Sequence, residues 1–222
     1  MDDDLRRELL RRADADQLAR AALDRADDAG DDPTAALDTM TEVDADNTAW
    51  LRALVETSGW PAASRVGREG ARAAWLLVQH ADADPTLQRR CLELLSDAVR
   101  RGEGDAVDLA YLTDRVLLRF GGHQEFGTQL RATADGWVPR RLRDRATVDA
   151  RRATVGLEPL AAATARMTAE HPARPSTLVC GSCGGAVAFW HPEPGHPVDA
   201  VCPTCGTTIT VGGDGDGAGP EG

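Results

Sequence analysis

The chain has 222 residues, 42 % of them apolar, and 25 basic against 36 acidic side chains give it a formal net charge of −11. That apolar fraction supports a packed core and excludes a disordered chain, and no run approaches the roughly 18 consecutive apolar residues of a membrane span. The opening Met1-Asp2-Asp3-Asp4 lacks both the basic and the apolar region of a secretory signal, so the cytoplasm is the expected compartment.

Every basic residue is Arg, and their distribution is uneven. Residues 1–47 carry 6 Arg against 15 acids, residues 48–174 carry 19 against 16, and residues 175–222 carry none against 5. A nucleic-acid binder needs a basic footprint to neutralise phosphates. Neither end of this chain supplies one.

In chain order, an acidic helical segment is expected over residues 1–46. Leu5, Leu9 and Ala13, then Leu18, Ala22 and Ala26, fall at helical spacing with one slip of phase between the sets. Gly30 and Pro33 end this helix. A helical domain follows over 47–170. Its first helix centres on 47–57, and Gly59-Trp60-Pro61 stops it. The dense apolar run from Gly70 to His80 reads as a buried central helix. Asp84-Pro85 supplies an N-cap and a first-turn proline for the next helix, whose core stripe is Leu87, Cys91, Leu94, Leu95 and Ala98. Cys91 on that stripe reads as a buried, inert thiol. Asp105 caps a further helix ending at Gly121-Gly122.

Residues 123–146 break the helical pattern, and Asp135-Gly136 between apolar residues signals a hairpin. Short helices are expected at 147–155 and 158–169. The Arg-rich run 140–152 reads as a solvated face. Residues 171–176 form a linker, 177–212 a small cysteine-bearing unit, and 213–222 a Gly-rich, acidic tail that should be disordered.

The most specific signal is Cys180-Gly-Ser-Cys183-Gly184 and Cys202-Pro-Thr-Cys205-Gly206, two CxxC pairs separated by 18 residues. Each turn places two thiolates around a common point, and two turns complete a closed tetrahedral site. With strand-like pieces at 186–190, 198–201 and 207–211, the unit reads as a zinc ribbon holding structural zinc, iron being the alternative metal. A redox dithiol and paired disulfides are the competing readings; the expected compartment argues against disulfides. His191 and His196 lie between the turns as substitute ligands. Phe189 and Trp190 are adjacent, which in a strand turns one inward and leaves the other exposed.

Polar residues cluster in otherwise apolar segments: Gln79-His80-Ala81-Asp82, Gln88, Asp114-Arg115 after Tyr111-Leu112, and Gln124 with Phe126-Gly127-Thr128-Gln129. With Gly59-Trp60-Pro61, residues 74–95 and residues 110–129, this pattern resembles a bacterial family of unknown function, the DUF6624-type family. The resemblance is strong over about 47–130, weaker through 156–167, and loose in the N-terminal helix. Phe126 stands where the family has Tyr, which removes a phenol from that position. The ribbon is not part of the common family domain. The resemblance implies a mostly helical fold and no particular activity.

The fold expected is therefore mainly α: a helical domain with a short irregular or hairpin segment, and a small β zinc ribbon at the C-terminus. His80, Asp82, Gln88, Asp114, Arg115, Gln124, Thr128 and Gln129 are the candidate binding residues of a polar pocket, which the 123–129 loop would complete by folding over the end of the 70–80 helix. The leading expectation is a binding protein whose ribbon meets a protein partner, with no membrane and no nucleic acid involved; any small-molecule ligand is unspecified. Alternatives are a hydrolase or transferase, with His80 as general base oriented by Asp82 or Asp84 and Asp114 as a further catalytic candidate, and a nucleic-acid-associated regulator.

Overall fold

The computed structural model describes residues 1–190, 192 and 197–212, so the expected tail and both His191 and His196 fall outside the described residues. These residues form two compact units, one spanning Met1–Val116 and one starting at Leu117.

The first unit is helical. It holds α1 (Asp3–Ala29), α2 (Thr34–Ser58), α3 (Ala63–His80), α4 (Pro85–Arg100) and most of α5 (Ala106–Arg119). Its core draws Leu9 and Ala13 from α1, Leu51 and Val55 from α2, Ala74, Leu77 and Val78 from α3, Cys91 and Leu95 from α4, and Leu112 and Val116 from α5. Trp75 and Tyr111 meet edge to face with centroids 6.1 Å apart.

Three elements differ from the sequence reading. In α1 the buried stripe runs Leu9, Ala13, Asp16, Ala19 without any slip, and Leu18 is 68 % exposed. The slip was the trace of a carboxylate, Asp16, occupying a core position. Helix α2 begins at Thr34 and runs unbroken across positions 46 and 47. Asp32 starts it by accepting hydrogen bonds from the Thr34 N–H (3.0 Å) and hydroxyl (2.6 Å), and its first half is largely exposed, so no apolar stripe announces it. Helix α3 begins at Ala63, with Gly67 held at φ 73° as a break in its first turns. The Asp84 cap is as expected, its carboxylate accepting from Leu87 N–H at 3.0 Å.

The second unit contains the hairpin β1 (Leu130–Thr133) and β2 (Gly136–Pro139), then α6 (Val148–Thr154) and α7 (Leu160–Glu170). The hairpin is antiparallel, pairing Leu130 with Pro139 and Thr133 with Gly136. Trp137 ties it down: its backbone N–H donates to the Thr168 hydroxyl (3.1 Å) and its indole to the His171 carbonyl (2.7 Å). The Arg-rich run is not uniformly solvated. Arg143 and Arg145 are exposed, but Arg152 is buried and donates to the carbonyls of Glu158 and Phe126 at 2.6 and 2.7 Å.

Two further hairpins end the described chain: β3 (Ser176–Val179) with β4 (Ala186–Phe189), and β5 (Val198–Val201) with β6 (Thr208–Val211). Strand β3 takes Ser176 from the expected linker by pairing it with Phe189. Val187 and Ala200 are buried with Cys180 and Cys202, and Leu178, Phe189, Ile209 and Val211 pack around them. Phe189 and Trp190 are both half-buried, so the expected exposed aromatic is not present. None of the helices among the described residues is long and apolar enough to cross a membrane.

Candidate functional site

The two knuckles are built alike. Cys180 N–H donates to the Gly185 carbonyl (2.8 Å) and Gly184 N–H to the Cys180 carbonyl (2.8 Å); Cys202 N–H donates to Thr207 and Gly206 N–H to Cys202, both at 2.9 Å. Gly184 and Gly206 sit at φ 73° and 72°, which a side chain at either position would strain. Each knuckle links the two strands of its hairpin, so the strand register fixes where the sulfurs point. The four sulfurs lie within 4.8 Å of one another, with Cys180–Cys205 at 3.7 Å and Cys183–Cys202 at 3.5 Å. A tetrahedron of sulfurs each about 2.3 Å from a metal has edges of about 3.8 Å, so these thiols fit a metal ion between them. Hydrogen bonds from the Thr207 hydroxyl and N–H pull the Cys205 thiol down to about 6, toward the thiolate that binds metal. Cys91 behaves oppositely: burial pushes it up to about 12, so it is an inert core thiol.

The polar residues of the first unit separate into two groups, because Gln79 and His80 are consecutive on α3 and leave the helix about 100° apart. The first group sits at the C-terminal end of α3. Arg115 donates to Gln79 Oε1 (3.0 Å) and to both Asp82 oxygens (2.7 Å each). Gln88, fully buried, donates from Nε2 to Asp82 (3.0 Å) and to the Val78 carbonyl (3.1 Å). It thereby satisfies a carbonyl that the end of α3 leaves without a helical partner. Asp114 is fully buried nearby on α5.

His80 belongs to the second group, with α1 and α2. Its Nδ1 lies 2.7 and 2.9 Å from the two oxygens of Asp16, and Arg20 Nε lies 3.0 Å from the same nitrogen. One ring nitrogen cannot donate and accept at once. The carboxylate selects the Nδ1–H tautomer, and Arg20 directs its Nη2 to Asp44 at 2.8 and 2.9 Å. The partner of His80 is therefore Asp16, whereas Asp82 is held by Arg115 and Gln88, and Asp84 caps α4 and pairs with Arg52. His80 Nε2 has no hydrogen-bond partner among the described residues, and the side chain is 19 % exposed against 1 % for Asp16. Burial pushes the Asp16 carboxyl up, but the hydrogen bond from His80, with that from Gln17 and the charge of Arg20, outweighs it and holds it below its ordinary value. Burial raises Asp44. Asp16, Asp44 and His80 are close enough to share a cation, but the Arg20 guanidinium already supplies the positive charge there.

In the second unit, Gln124 is fully buried and pins the 123–129 loop. Its Nε2 donates to the carbonyls of Gln129 (2.9 Å) and Arg140 (3.1 Å), and its Oε1 accepts from Gln129 N–H (2.7 Å). Gln129 Nε2 donates to the Thr128 hydroxyl at 3.3 Å. Both ends of the Gln124 amide are thus used in holding the loop.

The sequence reading missed Asp16, Arg20 and Asp44. Asp16 was detectable only as the interruption in the α1 stripe; Arg20 and Asp44 carry no local mark in an acidic segment.

Among the described residues, seven helices with a hairpin, followed by a four-cysteine pair of knuckles, define a helical protein bearing a cysteine cluster compatible with a zinc ribbon. Residues 3–170 match the family model described as "Family of unknown function (DUF6624)", and the chain belongs to that family. The match ends before the first strand of the ribbon. No curated protein and no solved structure matches the chain.

Proposed function

We propose that this is a cytoplasmic zinc-ribbon binding protein. In this reading Cys180, Cys183, Cys202 and Cys205 hold one structural zinc ion, the ribbon docks a protein partner, and the helical part recognises a ligand through a polar site that includes His80. The observation that carries it is the convergence of four sulfurs from two like knuckles. Four thiolates leave a bound zinc no open position, so its contribution is folding energy, not catalysis. A protein partner fits the ribbon's surface: Val179 and Val201 are 73 % and 59 % exposed, and the absence of Arg from residues 175–222 offers nothing to phosphates.

The test pairs metal analysis with Val179→Asp and Val201→Asp. One zinc per chain is expected, with both variants retaining the metal and losing a partner cross-linked to the wild-type ribbon. A metal-free reduced protein, or a sub-micromolar, salt-sensitive nucleic-acid complex mapping to 177–211, would contradict the reading.

A second reading, a hydrolase or transferase with His80 as general base, draws on one observation. Buried Asp16 fixes the tautomer that leaves a lone pair on Nε2, an arrangement that serves acid–base catalysis. In a screen of ester and phosphoester substrates, activity abolished by both His80→Gln and Asp16→Asn would favour it; activity untouched by His80→Gln would remove it.

A further inference from the structure

Helices α1 and α2 carry matching stripes. One runs Leu9, Ala13, Asp16, Ala19, Leu23 and Ala26; the other runs Leu37, Met40, Asp44, Asn47, Leu51 and Val55, both at three- and four-residue intervals. Where α3 packs on the pair, the stripes are buried: Leu9, Ala13 and Asp16 on α1, Asn47, Leu51 and Val55 on α2. Helix α3 ends at His80, level with Asp16 and Arg20. Past that level the stripes continue and the cover does not. From Arg20 to Asp46 no described side chain is buried, and Leu37 is 46 % exposed. The two helices still face each other at the start of this stretch, since Arg20 Nη1 lies 3.2 Å from the Met40 sulfur and Nη2 bonds Asp44.

The same stretch is strongly acidic. Residues 21–42 hold seven acids against Arg25 alone, and Asp24, Asp31, Asp38 and Glu42 are exposed. A second copy of this hairpin brings the same charge and is repelled. The uncovered part of α1, residues 21–29, is about 13 Å long, enough to seat roughly two to three turns of helix. Two antiparallel helices with apolar stripes at this spacing accept a third helix between them, as the covered half does with α3. The charge around the stripes sets the sign of what fits: an apolar inner face with basic side chains along its edges.

We infer that the uncovered half of the α1–α2 hairpin is a docking surface for a short, basic, amphipathic helix of a partner protein, seated on Leu23, Ala26, Leu37 and Met40 where α3 would lie if it continued past His80. The surface uses neither the ribbon nor a ligand at His80, so it stands or falls independently of the functional reading above.

The test is a fluorescence titration of the full chain into a labelled synthetic peptide of Leu and Lys, about three turns long and patterned as an amphipathic helix. A peptide of the same composition, scrambled so that its Leu residues no longer share a face, is the control. Saturable one-to-one binding of the patterned peptide, weakened by salt and at least tenfold tighter than the scrambled one, is expected. Leu37→Asp adds a negative charge, so simple charge attraction would strengthen binding; loss of the apolar seat should instead weaken it about tenfold. Leu18→Asp adds the same charge to a residue 68 % exposed and about 200° round α1 from buried Asp16, and should not weaken binding. If Leu37→Asp lowers the melting temperature of the first unit, Asp24→Arg with Asp38→Arg, both at exposed positions, replaces it and should also weaken the patterned peptide about tenfold. No saturable binding, equal binding of the scrambled peptide, or unchanged or tighter binding by a folded Leu37→Asp would each overturn the inference. So would a wild-type dimer in sedimentation that Leu37→Asp dissociates, because the occupant would then be a second copy of this chain.

Discussion

The ribbon and the His80 group are both assembled from polar side chains, but by opposite means. In the ribbon, each pair of sulfurs comes from one turn, and two hairpins bring the pairs together. At His80, both partners come from α1 and lie 60 and 64 residues away along the chain, and Asp44 of α2 joins them through Arg20. The ribbon buries fully only Val187, Ala200 and two cysteines, with four partly buried apolar residues around them, so under the proposed reading its order depends on what the sulfurs bind. The His80 group rests on a packed helical core and needs no ligand to be ordered. On the proposed reading, local assembly gives a centre that is fragile without its ion, whereas long-range assembly ties the His80 group to the stability of the helices around it.

The largest effect should follow from removing the metal. Chelation, or Cys180→Ser, should withdraw on the order of 10 kcal/mol of folding free energy from residues 177–211 and collapse their amide resonances while those of the helical units persist. Retention of dispersed ribbon resonances in the chelated, reduced protein would show that the hairpins fold without an ion.

Next, Asp16→Ala should destabilise the first unit by roughly 3 kcal/mol, measured by urea unfolding, because it leaves His80 and Arg20 without their buried carboxylate. The sign with pH follows from its depressed value: the stabilisation is present above the ordinary carboxylate range near 3.8 and is lost as pH falls through the lower folded value. A melting temperature unchanged in Asp16→Ala would mean the cluster is held by neighbours and is not itself structural.

Asp108 should behave in reverse. Burial, partly offset by Arg72, pushes it up to about 6, so the folded state holds its proton longer than the unfolded chain. Stability should fall as pH rises from about 4 to about 6, by on the order of 2 kcal/mol, and Asp108→Asn should flatten that slope. A wild-type stability that rises through this window with no change in Asp108→Asn would contradict the assignment. The smallest effect is expected for Gln88→Leu, about 1–2 kcal/mol, since the Val78 carbonyl and Asp82 each lose one hydrogen bond but Arg115 still holds Asp82. A loss above about 4 kcal/mol would point to a more cooperative network.

What could be read from the sequence follows the same division. The cysteine knuckles, the Asp84 cap, the Asp135-Gly136 hairpin and the helices after Gly70 all rest on interactions a few residues apart, and all are present. The core stripe of α1 was misread because Asp16 breaks it, and a carboxylate in a core position makes sense only once His80 and Arg20 arrive from elsewhere. The start of α2 was invisible because its exposed half needs no apolar pattern. Among the polar motif residues, Asp82, Gln88 and Arg115 do converge, while adjacent positions on α3 send Gln79 and His80 to different neighbours. The buried, unpartnered indole N–H of Trp60 left no trace at all, since it is a property of packing and not of any motif.

Metal analysis of the reduced, purified chain alongside Cys205→Ser decides whether the four-thiol centre is a structural metal site. One zinc ion per wild-type chain is expected, with strongly reduced retention in the variant and the helical units unchanged. Wild-type protein carrying neither zinc nor iron, yet showing a folded ribbon, would contradict it.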